Sequence, residues 1–166
     1  MKTIKNFFPG LMMMIAFTMI NCGVKAQDKE SDKEVATRNL LDSQRYVFHA
    51  EYVLPSSGRQ RYLSTDYTVR VSKDSIICDL PYIGRAYTAP INPSEGGIKF
   101  TSTDFELLSK EGKKGRRDIT IKTKDQTDTQ QLFMTVFTNG TASLQVTSNN
   151  RQPISFNGYI SEKNTR

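Results

Sequence analysis

The segment "LFMTVFTNGTASLQV", residues 132–146, carries the strongest local folding signal in this chain. Asn139-Gly140 lies between two runs of β-forming residues, and Asn-Gly is the preferred pair for a type I′ hairpin turn. A two-residue loop determines which residues face each other across the two strands. The predicted core face consists of three cross-strand pairs: Phe137 with Ala142, Thr135 with Leu144, and Phe133 with Val146.

The same alternation of apolar and polar residues continues on both sides of this hairpin. It predicts about nine short antiparallel strands, the others being 46–52, 67–71, 76–78, 98–101, 105–109, 118–123 and 154–160. Because the connections are short, we expect a mainly β fold, an antiparallel meander that closes into a lipocalin-like barrel or a strongly curved sheet. A two-sheet sandwich is the second choice.

A single helix is predicted before the first strand. Ser31 and Glu34 have the spacing of a capping box, and apolar residues follow at helical spacing. The helix is expected to cover residues 32–43, with Val35, Leu40 and Leu41 among its apolar positions.

The first 26 residues have the form of a cleaved signal peptide. Lys2 and Lys5 precede the apolar run 11–20, which is too short to span a bilayer, and Ala26 offers a small residue for cleavage. Residues 27–33 then form a flexible polar tail, and 34–166 form a single β-rich domain. The alternative is an outer-membrane lipoprotein anchored at Cys22, the one case in which we expect a membrane contact.

Charge and cysteine content narrow the range of functions. Three lysines leave with the signal peptide, so 20 basic and 17 acidic residues remain, a net charge of +3. This mild charge and the predicted export argue against nucleic acid as a partner. Only Cys78 remains after cleavage, so no disulfide forms within the chain, and its apolar neighbours suggest a buried thiol.

The residue types that catalysis or metal binding needs are scarce. His49 is the only histidine, so a Ser-His-Asp triad would have to use it, and its nearest acidic neighbour on the predicted strand face is Glu51. No Gly-x-Ser-x-Gly elbow supports such a triad, and His and Cys are too few for a zinc site. The sequence therefore favours a non-enzymatic protein with no cofactor, no metal and no catalytic residues, and an enzyme is the third function class, after a binding module and a structural protein.

The segment "LPYIGRAYTAP", residues 80–90, interrupts the meander. Tyr82, Arg85 and Tyr87 combine amphipathic rings with a guanidinium, a set that suits either a ligand-binding loop or a structural plug. In the plug, Arg85 is buried and pairs with Asp79 or with free carbonyl groups, which is the interpretation that we favour. In the ligand-binding alternative, all three side chains contact the ligand.

A second candidate contact is the basic hairpin tip between residues 110 and 117. Lys113, Lys114, Arg116 and Arg117 form the densest basic segment in the chain. Exposed lysines at a hairpin tip often only prevent edge-to-edge pairing of strands. The functional interpretation is a contact for an anionic glycan, a lipid headgroup or an acidic partner.

The chain resembles the secreted Gram-negative family catalogued as domain of unknown function 4251. The resemblance depends mainly on residues 80–87, together with 97–100, the basic hairpin and "SNNRQPISFNGYI" at 148–160. It implies an exported, mostly β domain, and it carries over no catalytic residues. We therefore expect a periplasmic or secreted binding module for an apolar or amphipathic ligand or a partner. The alternative is a structural envelope protein with a plugged core.

Overall fold

Nine antiparallel strands and one helix make up the computed structural model, which describes residues 32–87 and 96–162. The elements are α1 Asp32–Ser43, β1 Tyr46–Pro55, β2 Arg61–Val71, β3 Ile76–Pro81, β4 Gly97–Ser102, β5 Phe105–Glu111, β6 Arg117–Thr123, β7 Thr129–Val136, β8 Thr141–Ser148 and β9 Ile154–Glu162. The predicted helix limits and all nine predicted strands are confirmed.

The strands form one sheet in the order β4-β3-β2-β1-β9-β8-β7-β6-β5. Because β1 pairs with β9, the sheet curls into a nearly closed barrel with β4 and β5 at its free edges. The expected β-barrel architecture with one helix is therefore confirmed, and the two-sheet sandwich is wrong.

The seam between β4 and β5 stays open for a topological reason. Nine alternating strands leave these two edge strands running in the same sense, and only Thr103 and Asp104 connect them. A two-residue connection cannot lead into a parallel neighbour, which needs a crossover of about a dozen residues. The chain therefore passes directly from β4, at one edge of the sheet, to β5 at the other edge, without pairing the two strands.

Side chains from the β6–β7 turn bind across this seam. Ser102 Oγ donates to Asp125 Oδ1 at 2.5 Å, and the backbone N–H of Thr103 donates to Asp125 Oδ2 at 2.8 Å. Gln126 Nε2 donates to the carbonyl oxygen of Thr101 at 2.9 Å. The hydrogen bond from Ser102, followed by those from the backbone, lowers the pKa of the Asp125 carboxyl.

Apolar side chains from all around the sheet meet inside the barrel. From Leu132 to Val136 on β7 and from Ala142 to Val146 on β8, buried positions alternate with more exposed ones, as a half-buried sheet requires. Eleven apolar side chains of the core cluster are fully buried, among them Phe48, Leu80, Leu144 and Phe156. Burial also raises the pKa of the Cys78 thiol, in agreement with the expected buried cysteine.

The observed pairing of β7 with β8 differs by one residue from the predicted register. The hairpin loop has three residues: the N–H of Phe137 donates to Thr141 O, and the N–H of Gly140 donates to Phe137 O, each at 2.9 Å. Within this loop, only Gly140 adopts a left-handed conformation, with φ 83°. A type I′ turn would need a positive φ at Asn139 as well. The observed core pairs are Leu132 with Val146, Met134 with Leu144 and Val136 with Ala142.

This shift of one residue reverses the two faces of β7. Phe133 and Phe137, which were predicted to be core residues, point outward and are 39% and 46% exposed. A one-residue slip has this effect because side chains alternate between faces with a period of two. The predicted core face is therefore wrong for β7, whereas Ala142, Leu144 and Val146 are buried as expected.

Helix α1 lies against β1 and β9. Thr37 and Leu41 face the sheet, whereas Val35, predicted as an apolar contact, is 41% exposed. Arg117 Nη2 donates to Asp42 Oδ1 at 3.0 Å and so joins the helix to β6. Ser31 of the predicted capping box lies outside the described residues.

The predicted signal peptide, Cys22 and residues 27–31 of the predicted tail also lie outside the described residues. The helix begins at Asp32, so it includes the last two residues of the predicted tail. Within the described ranges, no helix has the length and apolarity that a membrane crossing requires.

Candidate functional site

Segment 82–87 is bound to the connection between β8 and β9 at one end of the barrel. The N–H of Tyr87 donates to Asn150 O at 2.7 Å, and the N–H of Gln152 donates to Arg85 O at 3.1 Å. These bonds pair the segment antiparallel to the connection, like a short additional ladder. The segment therefore forms a strap across the barrel end.

Arg151 binds this strap through the Tyr82 ring. Its guanidinium carbon lies 5.1 Å from the centre of the Tyr82 ring, its Nε lies 3.1 Å from Asp128 Oδ2, and its Nη1 donates to Gly97 O at 2.8 Å. The Tyr82 hydroxyl donates to Arg85 O at 2.7 Å. Partial burial raises the pKa of this hydroxyl. Arg151 thus forms the carboxylate pair and the carbonyl contact that were predicted for Arg85, and it also stacks on the Tyr82 ring.

Arg85 itself does not behave as predicted. Its side chain is exposed, and no ion pair joins it to another residue within 32–87 or 96–162. Asp79, its predicted partner, instead pairs with Lys99 at 3.1 Å. The predicted Arg85–Asp79 pair is therefore wrong. The sequence reasoning missed Arg151, whose only signal was its position in the turn-rich stretch 149–153.

The three candidate ligand contacts of this segment do not converge on one cavity. Tyr82 is half-buried under the strap, whereas Arg85 and Tyr87 are exposed, Tyr87 by 69%. A cavity of about 440 Å³ lies beside the strap. Its lining includes Arg151 and the Arg151 partners Asp128 and Gly97, but not Tyr82, Arg85 or Tyr87. The arrangement suits a structural closure of the barrel end.

The basic hairpin tip lies at the opposite end of the barrel, beside α1 and the β7–β8 loop. Three of the four predicted basic residues, together with Phe137, line one open cavity of about 610 Å³. We call it the basic cavity; its lining residues are Lys113, Lys114, Arg116, Phe137, Thr138, Asn139 and Thr141. Arg117 is not among them, because it pairs with Asp42 and is only 21% exposed.

Hydrogen bonds and turn geometry hold the basic cavity in shape. Arg116 Nη2 donates to Asp118 Oδ2 at 3.1 Å, and Asn139 Oδ1 accepts from Thr141 N at 3.0 Å and from Thr141 Oγ1 at 2.7 Å. Lys114 has a left-handed conformation, with φ 60°, which is uncommon for residues other than glycine. The cations and the Phe137 ring are thus displayed by two short, rigid loops.

The ring of His49 has partners on two other strands and not Glu51, the acidic residue that the sequence placed on the same face. Its Nδ1 lies 2.9 Å from Asp66 Oδ1, and its Nε2 lies 3.0 Å from Ser161 Oγ. A β-bulge at Glu51 interrupts the alternation of β1, so Glu51 no longer follows His49 on the same face. Neither Asp66 nor Ser161 was a sequence candidate, because both lie far from His49 in sequence. Among the described residues, no group of three or more His, Cys, Asp or Glu could hold a metal ion.

Comparison with known proteins supports the family resemblance. The family model described as domain of unknown function (DUF4251) matches residues 28–160. No curated protein matches the chain. The crystal structure of a DUF4251 family protein from Bacteroides eggerthii aligns with a TM-score of 0.59 and 16% identity, over 82% of this chain and 91% of that one. The likeness to that structure concerns the fold alone. The family match extends over most of the chain, so this protein belongs to the DUF4251 family.

Proposed function

We propose that this protein is an exported binding module that holds an anionic amphiphile in the basic cavity. The observation that carries the proposal is the grouping of Lys113, Lys114 and Arg116 around the 46% exposed ring of Phe137. Cations beside an exposed apolar ring fit a ligand with a carboxylate, sulfate or phosphate head and an apolar body.

The two kinds of lining residue supply different parts of the binding energy. The ammonium groups of Lys113 and Lys114 attract an anionic head from a distance, and this attraction weakens as salt screens it. Phe137 buries apolar surface, at about 25 cal/mol per Å² removed from water. The ligand must therefore carry both features to bind well.

Pre-organised loops favour binding at this place. The Arg116–Asp118 pair and the Asn139–Thr141 hydrogen bonds restrain side chains that would otherwise lose freedom on binding. A restrained site loses less conformational entropy when the ligand arrives.

The proposal places the ligand outside the barrel and not within it. The interior is filled by the core cluster, whose largest side chains include Phe48 and Phe156. The basic cavity is lined by cations, a phenyl ring, hydroxyl groups and an amide, without a histidine, cysteine or carboxylate to act as a general base. Its proposed role is therefore binding without chemistry.

A structural role in the cell envelope is the second candidate. The strap that Arg151 anchors across the barrel end favours it, because such a closure stabilises a barrel without serving a ligand. In that role, the chain would act through an envelope protein partner, and a lipid anchor at Cys22 would give it its membrane contact.

Fluorescence titration with 8-anilinonaphthalene-1-sulfonate, an anionic aromatic probe, tests the binding proposal. We expect saturable binding that weakens about tenfold in the double variant Lys113→Glu/Lys114→Glu and also in Phe137→Ser. Lys122→Glu, an exposed change on β6, is the control for charge and should keep the affinity. If all of these proteins bind the probe alike, the basic cavity is not the site.

A further inference from the structure

A serine, a histidine and an aspartate are joined by hydrogen bonds on the outer face of the barrel. Asp66 lies on β2, His49 on β1 and Ser161 on β9. His49 Nδ1 is 2.9 Å from Asp66 Oδ1, and His49 Nε2 is 3.0 Å from Ser161 Oγ. Both contacts are within the range of ordinary hydrogen bonds.

The pairing of the three strands brings these residues together. His49 pairs with Thr68 on β2 and with Tyr159 on β9. Asp66 and Ser161 each lie two residues from those positions, so their side chains share a face with His49. The ring of Tyr159 stacks on that of His49, with centroids 5.0 Å apart and planes inclined by 12°. The histidine ring is therefore held on one side by stacking and at both nitrogens by partners.

The partners determine the tautomer of the neutral imidazole. An ionised carboxylate only accepts hydrogen bonds, so Nδ1 must carry the proton that is directed at Asp66. Nε2 then presents its lone pair to the Ser161 hydroxyl, which donates to it. The carbonyl oxygen of Glu162, at 3.2 Å, is a second and longer contact of the same hydroxyl. These are the roles of base, orienting carboxylate and nucleophile in serine hydrolases.

We infer that Ser161 is an activated nucleophile that hydrolyses small carboxylic esters. This inference goes beyond the proposed binding function and does not depend on it. A cavity of about 230 Å³ lies directly at the three residues, which is room for a short acyl group. The sequence identified His49 as the only possible histidine of such a triad, but not its partners, because Asp66 and Ser161 lie on two other strands and no nucleophile elbow is present.

The reaction is balanced with water as the only co-reactant. Ser161 Oγ attacks the ester carbonyl carbon while His49 Nε2 accepts the hydroxyl proton. The ester C–O bond then breaks, and the alcohol leaves with that proton, which produces an acyl-serine. Water attacks the acyl group with His49 again as base, and the carboxylic acid is released from the restored serine.

The same cavity contains donors for the charge that develops on the carbonyl oxygen. Arg70 and Thr68 line it and carry groups that can donate hydrogen bonds, and the acidic residue Glu162 also lines it. Such donors stabilise an oxyanion. The carboxylate disfavours acidic acyl groups, so the expected substrates are neutral short-chain esters such as acetates and butyrates.

A fluorophosphonate probe, which reacts with activated serines, tests the inference on the full chain. We expect stoichiometric labelling at Ser161, mapped by peptide mass spectrometry, and hydrolysis of p-nitrophenyl acetate above the background rate. His49→Gln and Asp66→Asn should each lower the labelling rate by about 100-fold, and Ser161→Ala should abolish labelling. Ser155→Ala, a half-buried serine on the same strand, is the matched control and should leave labelling unchanged.

Two outcomes would overturn the inference. In the first, the folded protein shows no probe adduct at Ser161 after prolonged exposure; this measurement uses only the unaltered chain and does not depend on the folding of a variant. In the second, His49→Gln and Asp66→Asn, folded by circular dichroism, react at the rate of the unaltered protein. The second result would make the three residues a structural hydrogen-bond network.

Discussion

The guanidinium carbon of Arg151 lies 5.1 Å from the centre of the Tyr82 ring. This contact joins the strap at one end of the barrel to the β8–β9 connection, and the same guanidinium also holds Asp128 and the carbonyl of Gly97. A planar cation with five donors can stack and donate at once, which lysine cannot do. Arg151 therefore adds side-chain contacts to the backbone hydrogen bonds that hold segment 82–87 in place.

Replacing Arg151 should destabilise the protein much more than replacing Arg85. Arg151→Ala removes the partners of Asp128 and of Gly97 O, at a cost of about 1–3 kcal/mol for bonds that involve a charged group. Arg85→Ala, at an exposed position, should cost less than about 0.5 kcal/mol. Urea unfolding of both variants measures the difference. Equal costs would show that the strap does not depend on Arg151.

The left-handed conformation of Gly140 predicts the effect of a side chain there. With φ 83°, Gly140→Ala strains the loop and should lower stability by about 1–3 kcal/mol. Gly96→Ala is the matched control, because its new Cβ meets no atom within 4 Å and its φ is ordinary. Thermal melts compare the two, and a Gly140 variant as stable as the control would contradict the observed loop.

Gly158 has a different reason to be glycine. It faces the β-bulge of β1, where an added Cβ would lie 1.8 Å from the carbonyl oxygen of His49. No backbone tolerates such an approach, so Gly158→Ala must displace β1 and should cost on the order of 3 kcal/mol or more. Asn157→Ala, at the neighbouring half-buried position, should cost less than about 1 kcal/mol. Urea unfolding of the two variants measures the loss of unfolding free energy in each. Equal losses would mean that the bulge of β1 moves to accommodate the new Cβ.

The Asp125 contacts across the seam predict a pH dependence of stability. The pKa of this carboxyl is lower in the folded chain than in the unfolded chain, because Ser102, Thr103 and Asp104 donate hydrogen bonds to the charged form. Its contribution is therefore fully present above the unfolded pKa of about 4 and is lost as the pH falls through the lower folded value.

Asp125→Asn isolates this contribution. We expect the unaltered protein to be the more stable of the two at about pH 6, with a difference that shrinks toward about pH 3. Urea unfolding of both proteins across this range measures the difference. A gap that stays constant with pH would mean that Asp125 titrates alike in the folded and unfolded chains.

The sequence predicted those features that depend on local chemistry. The helix limits 32–43, the nine strands and the family resemblance all follow from alternation, turn residues and short motifs that are present in each segment. Alternation is a local property because a strand exposes opposite faces at successive residues, whichever strand it meets. A mainly β antiparallel meander with one helix could therefore be foreseen from the sequence, whereas the choice between a barrel and a sandwich could not.

The tertiary structure decided which partner each residue meets. Asn139-Gly140 fits two hairpin loops, and the observed one directs Gly140 O toward the N–H of Ile160 on β9 at 2.9 Å, a contact between residues distant in sequence. The same limit explains why Arg151, and not Arg85, forms the carboxylate pair and the carbonyl contact, and why His49 bonds to residues on two other strands. A sequence pattern specifies faces and turns, whereas partners depend on the order and register of the strands, which the packing of the sheet around its core determines.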